Sequence, residues 1–215
     1  MLTHVLNRIS PAGRRGRLSI LIFHRVLSRP DSLLPDVPDA VAFDRIMTWL
    51  KSWFNVIPLN RAVALLAAGA VPERAAAITF DDGYADNHEV ALRVLRRHGV
   101  CATFFIATAY LDGGRMWNDT VIETVRSCKR PMLDLREVGL GVHAAATMVE
   151  RRVAAQEIIG RLKYLPYADR LRGSEEVARL AGGSRGSANC SEWPVLMRTR
   201  WFERGPSRES VAAEP

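Results

Sequence analysis

The sequence predicts an α/β fold built on parallel strands, and three observations carry that prediction. Leu18–Phe23 and Ala75–Phe80 are short apolar runs, the first nearly continuous, of the kind found in strands buried on both faces. Apolar residues at helical spacing lie between and after them. Strand, helix and strand then follow in order from residue 75 to residue 107, which reads as a right-handed βαβ unit with parallel strands.

The elements follow in chain order. After the Leu18–Phe23 strand comes a loop rich in Pro and Asp (Pro30, Asp31, Pro35, Asp36, Pro38, Asp39). Phe43, Ile46, Met47 and Leu50 recur at helical spacing and predict an amphipathic helix over 40–53. Asn60 is placed to cap a second helix that runs through Leu65 and Leu66 and ends at Gly69. The Ala75–Phe80 strand leads into an acidic turn, a helix over 87–98 stopped by Gly99, and a buried strand over 100–107. Helical stretches are expected at 116–128, 148–164 and 174–181, the first capped by Asn118-Asp119-Thr120. Residues 182–187 read as loop and Trp193–Met197 as a last piece of strand or core. Residues 198–215 lack periodicity and read as disordered.

With 215 residues and 48% hydrophobic side chains, the chain can bury one sizeable core, so one domain is expected. The net charge of +7 is unevenly spread: residues 1–29 hold Arg8, Arg14, Arg15, Arg17, Arg25 and Arg29 and no acid, while the remainder is close to neutral. The basicity belongs to an N-terminal arm rather than to the body. Such an arm either binds phosphates or lipid headgroups or is a solvated leader. No nucleic-acid motif accompanies it, so no nucleic-acid partner is expected. Cys101, Cys128 and Cys190 have neither paired nor metal-type spacing, which fits a reducing compartment, and Cys101 reads as a small core residue. No secretory signal and no membrane span is legible, so the default expectation is a cytoplasmic protein.

The chemistry concentrates at Ile78-Thr79-Phe80-Asp81-Asp82-Gly83-Tyr84. Within a regular strand, adjacent carboxylates would point to opposite faces and one would enter the core. Gly83 lets the backbone leave the strand, so both can gather at the carboxyl end of the sheet, where parallel α/β folds place their sites. A carboxylate with two imidazoles can hold Zn²⁺, and a second carboxylate can take a proton from an attacking water. The plainer reading is that Asp81 caps the turn and Asp82 is solvated.

Thr79-Phe80-Asp81-Asp82-Gly83-Tyr84, followed by Ala102-Thr103-Phe104-Phe105, resembles the polysaccharide deacetylase family (NodB-homology, carbohydrate esterase 4). Leu21-Ile22-Phe23-His24-Arg25-Val26 is similar to a strand-end His segment of many members. The segment from Gly113 to Asp119 resembles a subgroup associated with exopolysaccharide loci. The resemblance runs from about Leu18 to Met197. It implies a distorted (β/α) barrel, here a partial one, that removes N-acetyl groups from amino-sugar polymers with a divalent metal, Zn²⁺ above all. It matches Asp81 to the catalytic base and Asp82 to a metal ligand. His24, Tyr84 and Trp117 are candidate site-lining residues; for each, a structural role in packing or hydrogen bonding is the competing reading.

The chain departs from the family downstream. The His-(Ser/Thr)-x-x-His segment that supplies the other two ligands is absent, and His143 is followed four residues later by Thr147. The expected organisation is a basic arm at 1–17, an incomplete deacetylase domain at 18–197 and a non-family tail at 198–215. A frameshift or premature end before the His segment is the expectation for that break. A deacetylase with impaired activity toward N-acetylated polysaccharide is the leading reading; a non-catalytic carbohydrate-binding or interaction remnant of the fold is the alternative. An incomplete barrel also predicts self-association through open sheet edges.

Overall fold

The computed structural model describes residues 2–111 and 114–182. Gly113, Cys190, the loop at 183–187, the Trp193–Met197 segment and the tail from Arg198 lie outside the described residues. In chain order the elements are α1 (Leu2–Ile9), β1 (Leu18–Phe23), α2 (Ala40–Trp53), β2 (Asn55–Val56), α3 (Leu59–Ala67), β3 (Ala75–Phe80), α4 (Leu92–His98) and β4 (Thr103–Phe104). They continue with α5 (Trp117–Ser127), β5 (Met132–Leu135), β6 (Gly141–Ala144), α6 (Met148–Leu162) and α7 (Tyr167–Leu180). The described chain divides into two compact units, one of residues 2–30 and 37–111, the other of 31–36 and 114–182. Where composition predicts one core, the buried apolar residues form two.

The first unit is built around β3, every residue of which is buried. β1 runs parallel along one of its edges, Leu18 beside Ala75 through Phe23 beside Phe80. β2 and β4, also parallel, meet β3 at its beginning and its end. At the far end of β3, where it pairs with both β1 and β4, Phe23, Phe80 and Phe104 stack across neighbouring strands, with ring centroids 5.4 and 4.9 Å apart, and Phe43 of α2 meets Phe23 and Phe80 edge-on. Offset and edge-to-face aromatic pairs add about 0.5–1.5 kcal/mol each beyond their buried area. This plug fixes the end of the sheet from which the acidic turn emerges.

Helices cover the core as the periodicity predicts. α2 begins at its Asp39 cap, whose carboxylate accepts from the Ala42 N–H at 2.7 Å, and buries Phe43, Met47 and Leu50. Gly99, at φ +60, ends α4 in the left-handed conformation. The α/β architecture with parallel strands is therefore the one predicted, and the described strands form an open sheet rather than a closed barrel, as an incomplete barrel requires.

Several local expectations change. β1 is exposed on one face, with Ile20 and Ile22 accessible, because no described element covers that face. The strand expected over 100–107 contracts to Thr103–Phe104. β2 already occupies the start of the shared edge of β3, and no described strand lies beyond β4, so Cys101 and Phe105 are exposed rather than core. Asn60 lies within α3, where Pro58 holds the cap position. Met116, not the Asn118-Asp119-Thr120 run, stands at the N-cap of α5.

The second unit contains an antiparallel β5–β6 hairpin, not anticipated from the sequence, and the helices α5, α6 and α7. Val121, Val125, Leu133, Leu135, Ile158 and Val177 meet in its core. A Thr147–Glu150 capping box starts α6. α7 starts seven residues earlier than the 174–181 stretch expected and runs straight through Gly173. A Cβ on that glycine would stand 2.6 Å from Leu162 Cδ2, so the glycine marks close passage of two helices rather than a break.

Candidate active site

The acidic turn emerges from β3 with its backbone held on both sides. The Asp81 N–H donates to the Phe23 carbonyl at 2.9 Å and the Phe105 N–H to the Phe80 carbonyl at 2.7 Å. The Gly83 N–H then reaches back to the Asp81 carbonyl at 2.9 Å around Asp82, which has φ +72. A hydrogen bond spanning two residues about a centre of positive φ is the strained form of the γ-turn. The chain thus leaves the strand at Asp82, one residue before the glycine expected to release it. Gly83 follows at φ +75, a conformation that favours glycine, and a Cβ there would lie 2.8 Å from Ile106 Cδ1 and push that side chain aside.

Asp81, Asp82 and His24 are brought together by this turn. Register places His24 just beyond the Phe23–Phe80 pair. The Asp82 carboxyl is held above the usual aspartate value, chiefly by partial burial and also by the neighbouring Asp81 charge, while His24 pulls it down. Two carboxylates partly withdrawn from water, with an imidazole nearby, make a locus that favours a cation.

A polar belt behind the turn was not legible in the sequence. Arg25 Nε binds Asp86 Oδ2 at 2.8 Å, although the two residues are 61 positions apart. The same guanidinium lies 4.5 Å from the centroid of the Tyr84 ring. Buried Asn87, with its NH₂ turned toward acceptors, donates to Asp86 Oδ1 at 3.2 Å and to the His24 carbonyl at 3.0 Å. Arg25, Asp86 and Asn87 therefore tie the loop after β1 to the loop after β3, and Tyr84 is a buried ring within that belt. The only sequence signal was the polar run His24-Arg25 directly after an apolar strand.

Trp117 belongs to the second unit, where it starts α5 and lies 5.3 Å from the Arg170 guanidinium. His143, also in that unit, has both ring nitrogens beside acceptors, Glu157 Oε2 at 3.1 Å and the Leu140 carbonyl at 2.9 Å. His98 faces Asp44 at 3.0 Å. Among the described residues no three His, Cys, Asp or Glu side chains are grouped to hold a metal ion. Zinc sites take three or four protein ligands, so a complete metal site does not fit the described residues.

Fold and site define an α/β protein with a carboxylate pair at the carboxyl end of its parallel sheet. Residues 68–137, which include the whole acidic turn, match the polysaccharide deacetylase family. The polysaccharide deacetylase homologue YxkH of Bacillus subtilis (strain 168) is 32% identical over 93 residues, 42% of this chain and 32% of the relative. The match thus spans about a third of that curated relative's length. Among solved structures, the de-N-acetylase from Aggregatibacter actinomycetemcomitans is similar at 24% identity and TM-score 0.39, covering 45% of this chain and 40% of that one. IcaB from Ammonifex degensii is similar at 22% identity and TM-score 0.40, covering 55% and 50%.

Proposed function

We propose that this chain hydrolyses N-acetyl groups on an amino-sugar polymer, with Asp81 as general base and Asp82 as the carboxylate that faces a divalent metal, and that its turnover is impaired. The observation that carries the reading is the strained turn at Asp82, which gathers both carboxylates and His24 at one end of the sheet. Strain of this kind costs about 1–3 kcal/mol and is concentrated at functional sites.

In this reading Asp81, its backbone anchored to Phe23, takes a proton from the water that attacks the acetyl carbonyl, and that proton passes to the sugar nitrogen as the C–N bond breaks, releasing acetate and a free amine. The Arg25–Asp86–Asn87 belt holds the two loops so that the carboxylates do not separate. The described donors are too few for tight metal binding, and this is the basis for impairment.

The test measures acetate released from an N-acetylated chitooligosaccharide, with metal content determined on the same sample. Slow release that needs excess Zn²⁺ and falls about a hundredfold or more in Asp81→Asn is expected. Stoichiometric, tightly held Zn²⁺ with rapid release would refute the impairment. No release at saturating Zn²⁺, or equal release by Asp81→Asn, would favour a non-catalytic carbohydrate-binding role.

A further inference from the structure

The opposite end of the first unit carries a surface that the deacetylase reading leaves unused. α1 presents Val5 and Ile9, four residues apart and 54% and 52% exposed, beside the exposed Arg8. α2 presents Trp49 and Trp53, also four apart, at 53% and 37% exposed. Their indoles lie nearly parallel, 6.3 Å between centroids. Residues four apart share one helix face, so each pair is a stripe rather than a scatter.

Backbone contacts bring these stripes to one pole. Arg74, the residue before β3, donates from its N–H to the Ser10 carbonyl at 2.9 Å and from Nη1 to the Trp53 carbonyl at 3.2 Å. The ends of α1 and α2 therefore meet at the start of β3. The Gly13 N–H donates to the Val71 carbonyl at 2.8 Å, and Gly69 is packed so closely against Arg14 that a Cβ there would lie 2.8 Å from Arg14 Cγ. The arm, for which a solvated leader is one of two readings, is thus docked, with Arg8, Arg14, Arg15 and Arg17 exposed.

We infer that this pole docks on an anionic phospholipid surface. Exposed aliphatic and indole side chains flanked by arginines match the boundary between acyl chains and phosphates. The charge is complementary: residues 1–29 carry no acid, Asp44 of α2 is paired with Arg97 and His98, and Glu73 is paired with Arg74. A nucleic acid would use the arginines but has no need of Val5 and Ile9. No described helix is long and apolar enough to cross a membrane. Because the described strands of this sheet are parallel, Asp81 and Asp82 lie at the other end of β3. Six residues at about 3.3 Å each put roughly 20 Å of strand between the lipid-facing pole and the carboxylates.

The test is flotation of the full chain with vesicles of phosphatidylcholine alone and of phosphatidylcholine mixed equally with phosphatidylglycerol. Binding about tenfold or more tighter to the anionic vesicles is expected, weakening as salt rises. Ile9→Asp and Trp49→Ala should each lower it about tenfold, and Arg8→Glu with Arg14→Glu about fivefold or more per residue, with circular dichroism melts confirming that each variant folds. If Ile9→Asp fails to fold, Trp49→Ala and the arginine pair decide the matter. Equal binding to both vesicles, anionic binding untouched by both apolar substitutions, or tighter binding to duplex DNA at equal phosphate concentration would overturn the inference. Acetate release is not the readout, so failure here is distinguishable from failure of the deacetylase reading.

Discussion

Asp82 combines two costs in one residue. Its backbone adopts the left-handed region, which Asp and Asn tolerate better than other non-glycine residues, and its carboxylate is partly desolvated beside Asp81. A folded-state value raised above the ordinary 3.8 means that stability is full below that pH and is lost as pH rises through the raised value. Asp82→Asn keeps the turn and removes the charge. Its thermal midpoint should exceed that of the wild type by about 1–3 °C at neutral pH, a gain that disappears below the ordinary aspartate value. A lower midpoint at neutral pH would show that the carboxylate is a net structural asset. Asp81-Asp82-Gly83 was legible in the sequence because the three residues are adjacent. Arg25, Asp86 and Asn87 were not, because their meeting depends on two loops brought together by strand pairing.

Between elements, single long side chains supply the ties. Arg151 of α6 donates to the Arg126 carbonyl at 3.0 Å, the Cys128 carbonyl at 2.8 Å and the Ala145 carbonyl at 2.9 Å. It thereby satisfies carbonyls at the end of α5 and just after β6, where a cation also complements the helix dipole. Arg151→Met keeps most of the aliphatic stem and removes the donors. It should lower the urea-unfolding free energy by about 1.5–3 kcal/mol, the range of hydrogen bonds to charged groups. A loss under about half a kcal/mol would show that water replaces the guanidinium. Helix periodicity located α2 to the residue, since its buried stripe is a local pattern. The β5–β6 hairpin escaped notice because its two short strands are separated by an Arg136–Val138 helical turn rather than by a two-residue turn.

Across the whole molecule, the outer edge of β1 pairs with no described strand, and Ile20 and Ile22 stand exposed beside it. Such an edge is a template for another chain. Sedimentation at micromolar concentrations should show reversible self-association that Ile22→Lys reduces about tenfold or more. A wild-type monomer throughout that range would remove the edge as a contact.

The sequence by itself determined the class of fold, the β3 strand and the carboxylate pair. Each of these is written in residues that are neighbours or share a short period. Only the tertiary structure decided that β1 is half-exposed, that the reversal begins at Asp82, and that Arg25 braces Asp86. It also turned a basic leader into a docked arm beside two tryptophans. Those facts depend on which distant segments meet, and the strand register that brings them together has no trace in local spacing.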